Sequence, residues 1–539
     1  MAGNSILVKD AGNVQREEKD SVDLFVIGGG VNGCAIARDA AGRGLSVTLA
    51  EMGDLASATS SASTKLFHGG LRYLEYFEFG LVKKALIERE ILLANMPHIS
   101  RPMRFVLPLS PDMTFDATTP TSRLLGLIMP WLKGRRPNWL IRLGLFLYDT
   151  MGGRKFLPGT KTLTLTSDPA GQVLKAGFKK AFEYSDCVVD DARLVVLLAA
   201  DAAKNGARIL VKTKVIRAAR VDDLWEIETK NEISGLTKTI RARALVNASG
   251  PWVEEVIEQE LTAPSPEHIR LVRGSHIVVP SLFDHGRAYY FQGSDGRLIF
   301  AIPYQRDFTL IGTTEAAHQS PDEPARISDE ETTYLCDFAS RYFREPVNPA
   351  DIVWSFSGVR PLFDEGADSA TSATRDYKLV LEGQGQAPVL HVFGGKITTH
   401  RVLAESALEK LHAFFPDMGN SWTSQAPLPG GDFPVDGFDA LVRNLQQSYP
   451  FLSDKTAHRM IRAYGTLAAE MMQGAMSDKD LGADFGAGLF EREVRWMMDN
   501  EFALTAEDIV WRRSKLGLVM TKQQVDRLET WMKGRRDGK

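Results

Sequence analysis

A short apolar run, Leu24–Ile27, leads straight into Gly28-Gly29-Gly30-Val31-Asn32-Gly33. A stretch of helical character follows from Cys34 to Gly42, and a second apolar run ends at Glu51. No other part of the chain limits the fold so tightly. Gly28, Gly30 and Gly33 give G-x-G-x-x-G between a strand and a helix. Each glycine answers a separate demand: a tight turn, close approach of backbone to a pyrophosphate, and close helix–strand packing. The helix N-terminus adds unpaired N–H groups and the positive end of its dipole, both of which favour an anion. Glu51 stands where an acid accepts hydrogen bonds from a ribose hydroxyl. Residues 21–53 therefore predict a βαβ dinucleotide cradle, with NAD and FAD both open at this point.

A chain of 539 residues exceeds one common domain, so about two or three are expected. The net charge of −4 speaks against a general nucleic-acid binder. Cys34, Cys187 and Cys336 lie far apart without a C-x-x-C, which excludes a cysteine zinc site or a disulfide framework and fits a reducing compartment. No metal site is expected. No apolar run is long enough to span a bilayer. Residues 1–20 mix acids and bases, lack the apolar stretch of a signal peptide, and read as a disordered extension.

Helical spacing of apolar residues predicts helices over 80–96 and 190–205, and strands are predicted over Arg208–Lys214, Trp225–Thr229 and Thr239–Asn247. From 269 to 315 short alternating strands predict an antiparallel sheet separate from the parallel one. Residues 389–411 return to strand, glycine turn and helix. The Pro- and Gly-containing stretch 412–436 reads as a linker, and 437–539 as a small helical domain without a convincing strand.

Residues 57–73 alternate hydroxyls, glycines and cations, and hydroxyl and backbone donors of this kind satisfy phosphates and a flavin edge. Thr59, Ser60, Ser61, Ser63, Lys65, His68, Gly69 and Gly70 are the candidate cofactor contacts here.

The chain resembles the respiratory FAD-dependent glycerol-3-phosphate dehydrogenases of bacteria, within the D-amino-acid oxidase-like flavoproteins. The resemblance rests on IGGGVNGCAIARDAAGRGLSVTLAE (27–51), ATSSASTKLFHGGLRYLE (58–75), FEYSDCVVDDARLV (182–195), LVNASGPWV (245–253), RGSHIVVP (273–280), IGTTE (311–315), WSFSGVRPL (354–362), TRDYKL (374–379), VFGGKITTHR (392–401) and DIVWRRSKLGL (508–518). Only the N-terminal extension and residues about 114–135 lack a counterpart, and the family usually has Tyr where His400 stands. The resemblance implies an α/β (α+β composite) fold. A Rossmann-like FAD domain, from about 21–96, 182–260 and 350–411, interleaves with a mostly antiparallel substrate domain from about 97–181 and 261–349, and a C-terminal helical domain follows. It implies non-covalent FAD, with Gly250, Trp252, Gly395, Lys396 and Thr398 as further cofactor contacts. It also implies oxidation of sn-glycerol 3-phosphate to dihydroxyacetone phosphate, C2 giving hydride to flavin N5.

Such chemistry sets requirements. A phosphate dianion needs fixed cations, and Arg supplies planar multi-donor recognition. Within the family motifs these are Arg72 and Arg360, with Tyr73 as a hydrogen-bond donor. His276 is the proton acceptor that residue type suggests, because a neutral His titrates near working pH; a strand His is also often only a satisfied core residue. Lys396 can place a cation beside the reduced flavin, or can be a solvated lysine at a helix start.

Residues 117–148 hold no acid, but interleave Arg123, Lys133, Arg135, Arg136 and Arg142 with Leu124, Trp131, Trp139 and Phe146. That pattern suits an interfacial segment on an anionic membrane, chiefly through 123–136, or an internal helix. The resemblance implies that electrons pass to ubiquinone or menaquinone, with the protein peripheral on the cytoplasmic face of the inner membrane. Basic residues Arg512, Arg513, Lys515, Lys533, Arg535 and Arg536 read as assisting that docking or as solvated. A homodimer is a further expectation. Competing readings are an oxygen-using glycerol-3-phosphate oxidase, an amine or amino-acid oxidase, and a non-catalytic flavin sensor.

Overall fold

The computed structural model describes residues 21–110, 119–122, 128, 137–293, 297–363, 376–383 and 385–538. The extension expected at 1–20 and, apart from Ile128, the stretch 123–136 lie outside the described residues. In chain order the strands are β1 (Ser21–Ile27), β2 (Val47–Ala50), β3 (Leu66–Phe67), β4 (Ser100–Pro108), β5 (Lys161–Thr164), β6 (Lys180–Val189), β7 (Arg208–Leu210), β8 (Thr213–Val221), β9 (Leu224–Asn231), β10 (Thr237–Asn247), β11 (Ile269–Pro280), β12 (Ala288–Gln292), β13 (Leu298–Tyr304), β14 (Phe308–Gly312), β15 (Ala316–Ala317), β16 (Trp354–Phe363), β17 (Tyr377–Glu382) and β18 (Val389–Gly394).

The first sheet runs β17-β18-β10-β1-β2-β7, and β9 and β8 extend it from the start of β10. Strands β18, β10, β1, β2 and β7 are parallel. Parallel strands are covered on both faces, which is why β1 and β2 read as continuous apolar runs. Helix α1 (Val31–Gly42) is buried from Gly33 to Ala41, packed between this sheet and the helices Asp191–Lys204 and His400–Leu411. Asp190 caps the first of these two, its side chain accepting from the Arg193 N–H. The stretch expected as one strand over Arg208–Lys214 is two, because Lys212 turns the chain at φ +50° between β7 and β8.

The second sheet runs β15-β11-β14-β13-β12-β4-β6-β3, with β16 beside β11 and β5 beside β6. It is antiparallel except at the β12–β4 pair. The alternating strands expected from 269 to 315 are β11 to β14. Three segments belong elsewhere than expected, the short β3, which pairs β6 at Leu66↔Val188, and two longer strands. β6 and β16 were assigned to the cofactor domain, yet β6 pairs β4 from Ser100↔Val189 to Pro108↔Ala181, and β16 pairs β11 from Ile269↔Phe363 to Val278↔Trp354.

The C-terminal region is helical as read, over Phe438–Ser448, Asp454–Tyr464, Leu467–Met472, Glu491–Asn500 and Lys522–Asp537. It also contains a small hairpin, Asp484–Gly486 with Leu489–Phe490, too short to leave a pattern in sequence. The stretch 412–436 is fastened to the cofactor domain rather than loose. Trp422 packs on Gly42 with Arg38 over its ring at 4.7 Å, and the Leu428 N–H donates to the Asn95 carbonyl at 2.9 Å. Among the described residues no helix is long and apolar enough to cross a membrane.

His98 lies fully buried, close to Arg193 and Arg462, where the cofactor domain meets the C-terminal helices. Burial and those two cations push its pKa down from 6.5 to about 3. A folded value below the unfolded one means stability that is present above pH 6.5 and lost as pH falls toward 3. We expect the parent to lose about 2 kcal/mol more stability than His98→Leu between about pH 7 and about pH 5. Denaturant unfolding at both pH values measures it; parallel losses would contradict the burial argument.

Candidate active site

In open α/β sheets ligands bind beyond the carboxyl ends of the parallel strands. Here β1 ends in Gly28–Gly30, β2 in Glu51, β10 in Ala248–Gly250 and β18 in Gly394–Gly395, and all four ends line one cleft. The cleft encloses about 1470 Å³ of empty space, its open mouth included. Gly28 has φ +107°, and a Cβ on Gly33 would stand 2.0 Å from the Gly28 carbonyl oxygen. Gly33 is thus a packing glycine, set behind the cleft rather than in its wall. Glu51 accepts the Gly29 N–H at 2.6 Å and the Gly53 N–H at 2.7 Å. Burial raises its pKa against the pull of these two donors. Ser60 accepts from the Val31 N–H at 3.0 Å, closing the helix start.

Of the expected cofactor contacts, Gly28, Gly30, Glu51, Thr59, Ser60, Ser63, Gly250, Trp252 and Gly395 line the cleft. Asn32, Ser249, Val215 and Gln259 line it as well and were missed. Asn32 lies inside the glycine motif and was the one legible signal among them. Its amide donates to the Gly394 carbonyl at 3.2 Å, while its Oδ1 is buried with no hydrogen-bond partner among the described residues. A buried acceptor of this kind calls for a donor, and it fits a bound dinucleotide at this site. Asn247 shapes the turn at the end of β10 by accepting the Ser249 hydroxyl at 2.6 Å and donating to the Val253 carbonyl at 2.9 Å.

Lys65 departs from expectation. Its ammonium is buried and donates to Asp191 at 2.8 Å and to the Ser61 carbonyl at 2.9 Å, so it ties the loop 57–65 to the helix Asp191–Lys204 instead of lining the cleft. Ser61 is outside the cleft lining too. The turn His68–Gly70 is set from behind. The Gly69 N–H donates to Tyr148, whose hydroxyl donates to Asp186 at 2.8 Å, and Arg89 donates to the same carboxylate at 2.7 Å. The His68 N–H meets Thr398 Oγ1 at 3.4 Å. Lys396 Nζ sits 3.9 Å over the Tyr73 ring, and that ring occupies the space beside Gly70. The structure therefore brings together His68, Gly70, Tyr73, Lys396 and Thr398, with Arg72 on the same short turn, Leu71–Tyr76.

A second group lies on β11, β14 and β16. Register places Gly274 opposite Gly358 and His276 opposite Phe356, so His276 and Arg360 share one sheet face. Arg360 donates to Thr313 Oγ1 and to Glu315, each at 3.3 Å, and its guanidinium lies against Gly274. His276 stacks on Phe356 at 4.9 Å, and its Nε2 meets Thr64 Oγ1 at 3.0 Å. It is 2% exposed, its Nδ1 is buried, and burial with the nearby Lys65 and Arg360 holds its pKa well below 6.5. Burial thus moves His276 away from the titration near working pH expected of it, and leaves its Nδ1 without a hydrogen-bond partner among the described residues. The basic tail divides: Lys533 is exposed, as a solvated residue would be, but its first three residues depart from expectation. Arg512, Arg513 and Lys515 face inward, with Arg513 fully buried against Asp54.

A parallel sheet whose strand ends open on a glycine-lined cleft, joined to an antiparallel sheet bearing cations, is the architecture of a dinucleotide-dependent oxidoreductase. Residues 23–401 match the family model described as FAD dependent oxidoreductase, and 421–533 match that of the C-terminal domain of alpha-glycerophosphate oxidase. The chain belongs to the FAD-dependent oxidoreductase family, and its cofactor is FAD. It is 48% identical to D-erythritol 1-phosphate dehydrogenase of Brucella abortus (strain 2308), over 95% of this chain and 98% of that one. It is also 48% identical to glycerol-3-phosphate dehydrogenase of Pseudomonas aeruginosa, over 95% of this chain and 94% of that one. The crystal structure of glycerol-3-phosphate dehydrogenase from Bacillus halodurans complexed with FAD shares the fold, with TM-score 0.69 at 24% identity over 96% of this chain and 94% of that one.

The Gly33 contact gives a direct test. Gly33→Val forces a side chain against the Gly28 carbonyl, and overpacking of this kind costs about 1–3 kcal/mol. We expect FAD affinity to fall about tenfold or more, read by flavin content after gel filtration. Full retention of flavin would show that helix and strand can part without harm to the cradle.

Proposed function

We propose that this chain oxidises the secondary alcohol of sn-glycerol 3-phosphate to give dihydroxyacetone phosphate. The observation that carries the reading is 48% identity to a glycerol-3-phosphate dehydrogenase along 95% of the chain, both domains included. The geometry supports it. Lys396 is held over Tyr73, and Arg360 is fixed by Thr313 and Glu315, so these cations are pre-oriented rather than swinging freely. Arg72 and Arg360 clamp the phosphate and the reacting hydroxyl, with Tyr73 as a donor. Non-covalently bound FAD supplies the two-electron sink for the hydride leaving C2. Lys396 offsets the negative charge that reduction brings to the site.

Arg72→Ala and Arg360→Ala should each lower kcat/KM for glycerol 3-phosphate by about tenfold or more, roughly 1.4 kcal/mol of transition-state binding. A smaller fall in both would remove the clamp. Anaerobic bleaching of the flavin by glycerol 3-phosphate tests the whole reading, and acid precipitation should release free yellow FAD. A second substrate is favoured by a specific observation, the equal identity to D-erythritol 1-phosphate dehydrogenase. That polyol phosphate also presents a secondary alcohol and a phosphate, so the ratio of the two kcat/KM values decides between them.

The electrons then pass to a membrane quinone, with the enzyme peripheral on the cytoplasmic face. Support comes from the helix Asn138–Met151, which carries no acid in its first turn and exposes Trp139 (54%), Leu143 (46%) and Phe146 (58%). It packs on α2 (Phe79–Asn95) and on the turn Leu71–Tyr76, beside exposed Phe77 and Phe79. An apolar face of this kind enters a headgroup boundary. Trp139→Ser with Phe146→Ser should reduce co-sedimentation with anionic vesicles several-fold while leaving FAD content unchanged. Equal sedimentation would dismiss this helix as the docking element. Peroxide formation in place of quinone reduction would point to the oxidase.

A further inference from the structure

The C-terminal domain provides none of the residues that line the cofactor cleft, whose lining ends at Ile397. It nevertheless reaches the loop beside the cleft, and holds it at Asp54. Asp54 lies three positions after Glu51, in the loop whose Met52, Ala56 and Ser57 line the cofactor space. Its side chain is 1% exposed. Arg512 Nε donates to it at 2.5 Å and Arg513 Nη2 at 2.8 Å, and the Arg513 Nη1 contacts the same carboxylate. Consecutive residues on an α-helix point about 100° apart and do not usually converge on one carboxylate. Asp508–Arg513 is instead a π-helical turn, a form that recurs at functional sites.

Both arginines are anchored at their own end. Arg512 also holds Asp508 at 2.6 Å, and Arg513 donates twice to the Glu501 carbonyl, at 2.7 and 3.1 Å. The Glu501 carboxylate in turn pairs with Arg193 of the helix Asp191–Lys204. The loop itself needs outside support. Ala56 has φ +59°, a left-handed conformation that residues other than glycine adopt rarely. Its own ties are backbone N–H bonds: Ala56 to the Gly29 carbonyl at 3.1 Å, Lys212 to the Gly53 carbonyl at 2.8 Å, Gly53 to the Glu51 carboxylate at 2.7 Å and Ser57 to the Asp54 carbonyl at 3.1 Å.

We propose that the Asp54–Arg512–Arg513 cluster is a clasp through which the C-terminal domain sets the affinity for FAD. Asp54, Arg512 and Arg513 are positioning residues: they stand outside the cleft lining and act through the loop 52–57. Coupling between sites is reciprocal. If docking of the C-terminal domain orders the loop for FAD, then FAD holds the C-terminal domain in place to the same extent.

The test uses the full chain stripped of flavin. FAD is titrated by fluorescence into parent, Asp54→Asn and Arg512→Gln, and hydrogen exchange is followed over 508–516 with and without FAD. Arg512→Gln is the milder change, since Arg513 keeps its hold on Asp54, and it decides the matter if Asp54→Asn does not fold. The expected result is a rise in Kd for FAD of about tenfold for Asp54→Asn and several-fold for Arg512→Gln. In the parent, FAD should slow exchange over 508–516, and the variants should lose that effect. A purely structural cluster would lower the melting temperature of apo and loaded protein alike and leave the Kd within about twofold of the parent. That outcome, or protection over 508–516 that ignores FAD, overturns the proposal. The readout is flavin affinity, so it stands or falls independently of which polyol phosphate is the substrate.

Discussion

The cofactor domain depends on a contact between two residues that have no side chains. A Cβ on Gly33 would lie 2.0 Å from the Gly28 carbonyl oxygen, so α1 can settle onto β1 only because that position is bare. The settled helix puts the Val31 N–H against Ser60 and carries Asn32 to the Gly394 carbonyl, 362 residues further along the chain. The glycine turn after β18 is thereby registered to the glycine turn after β1. Neither turn alone makes a site. Their shared alignment on α1 does, and Glu51, Ala248 and Gly250 join it because β2 and β10 flank β1 in the same parallel sheet.

Apolar packing says which face is buried, but it specifies poorly how distant segments line up. At the seams of this molecule the alignment falls to buried ions. Lys65–Asp191 joins the hydroxyl-rich loop to a cofactor-domain helix, Arg401–Glu88 joins the helix His400–Leu411 to α2, and Arg193–Glu501 joins the cofactor domain to the C-terminal domain. A buried pair adds little net stability, because desolvation offsets most of the attraction, while losing one partner costs about 3–5 kcal/mol. Such pairs therefore act less as glue than as keys. Each penalises every arrangement in which its partner is missing.

That division explains what could be read from the chain. The βαβ unit, the helices near 79–95 and 191–204, and the alternation of β11 to β14 follow from local periodicity and were legible. Membership of β6 and β16 in the second sheet was not, because a mostly apolar run looks alike in either sheet and only its partner strand decides. The fate of the charged residues was the least legible. Arg512 reads as solvated because its partner Asp54 is 458 positions away. His276 reads as a neutral base because nothing adjacent reveals that Phe356 and Gly312 close over its ring. Residue type suggests a chemistry, but burial sets the proton affinity, and burial is a long-range property.

One long-range feature does leave a local trace. Gly274, Gly312 and Gly358 sit within three neighbouring strands, where glycine weakens a sheet by roughly 0.5–1 kcal/mol relative to alanine. In strands such glycines mark close approach of another group, and each one here has such a neighbour. Arg360 lies in the space beside Gly274, the His276 ring beside Gly312, and Ala62 of the hydroxyl-rich loop beside Gly358. The sheet gives up three side chains so that a guanidinium, an imidazole and a loop can lie flat against its backbone. The repeated pairing of glycine with a polar or aromatic residue in RGSH, IGTT and SGVR is therefore the imprint of a mould. A side chain at any of the three positions would lift its occupant off the sheet, and at Gly274 that occupant is the arginine expected to hold the substrate.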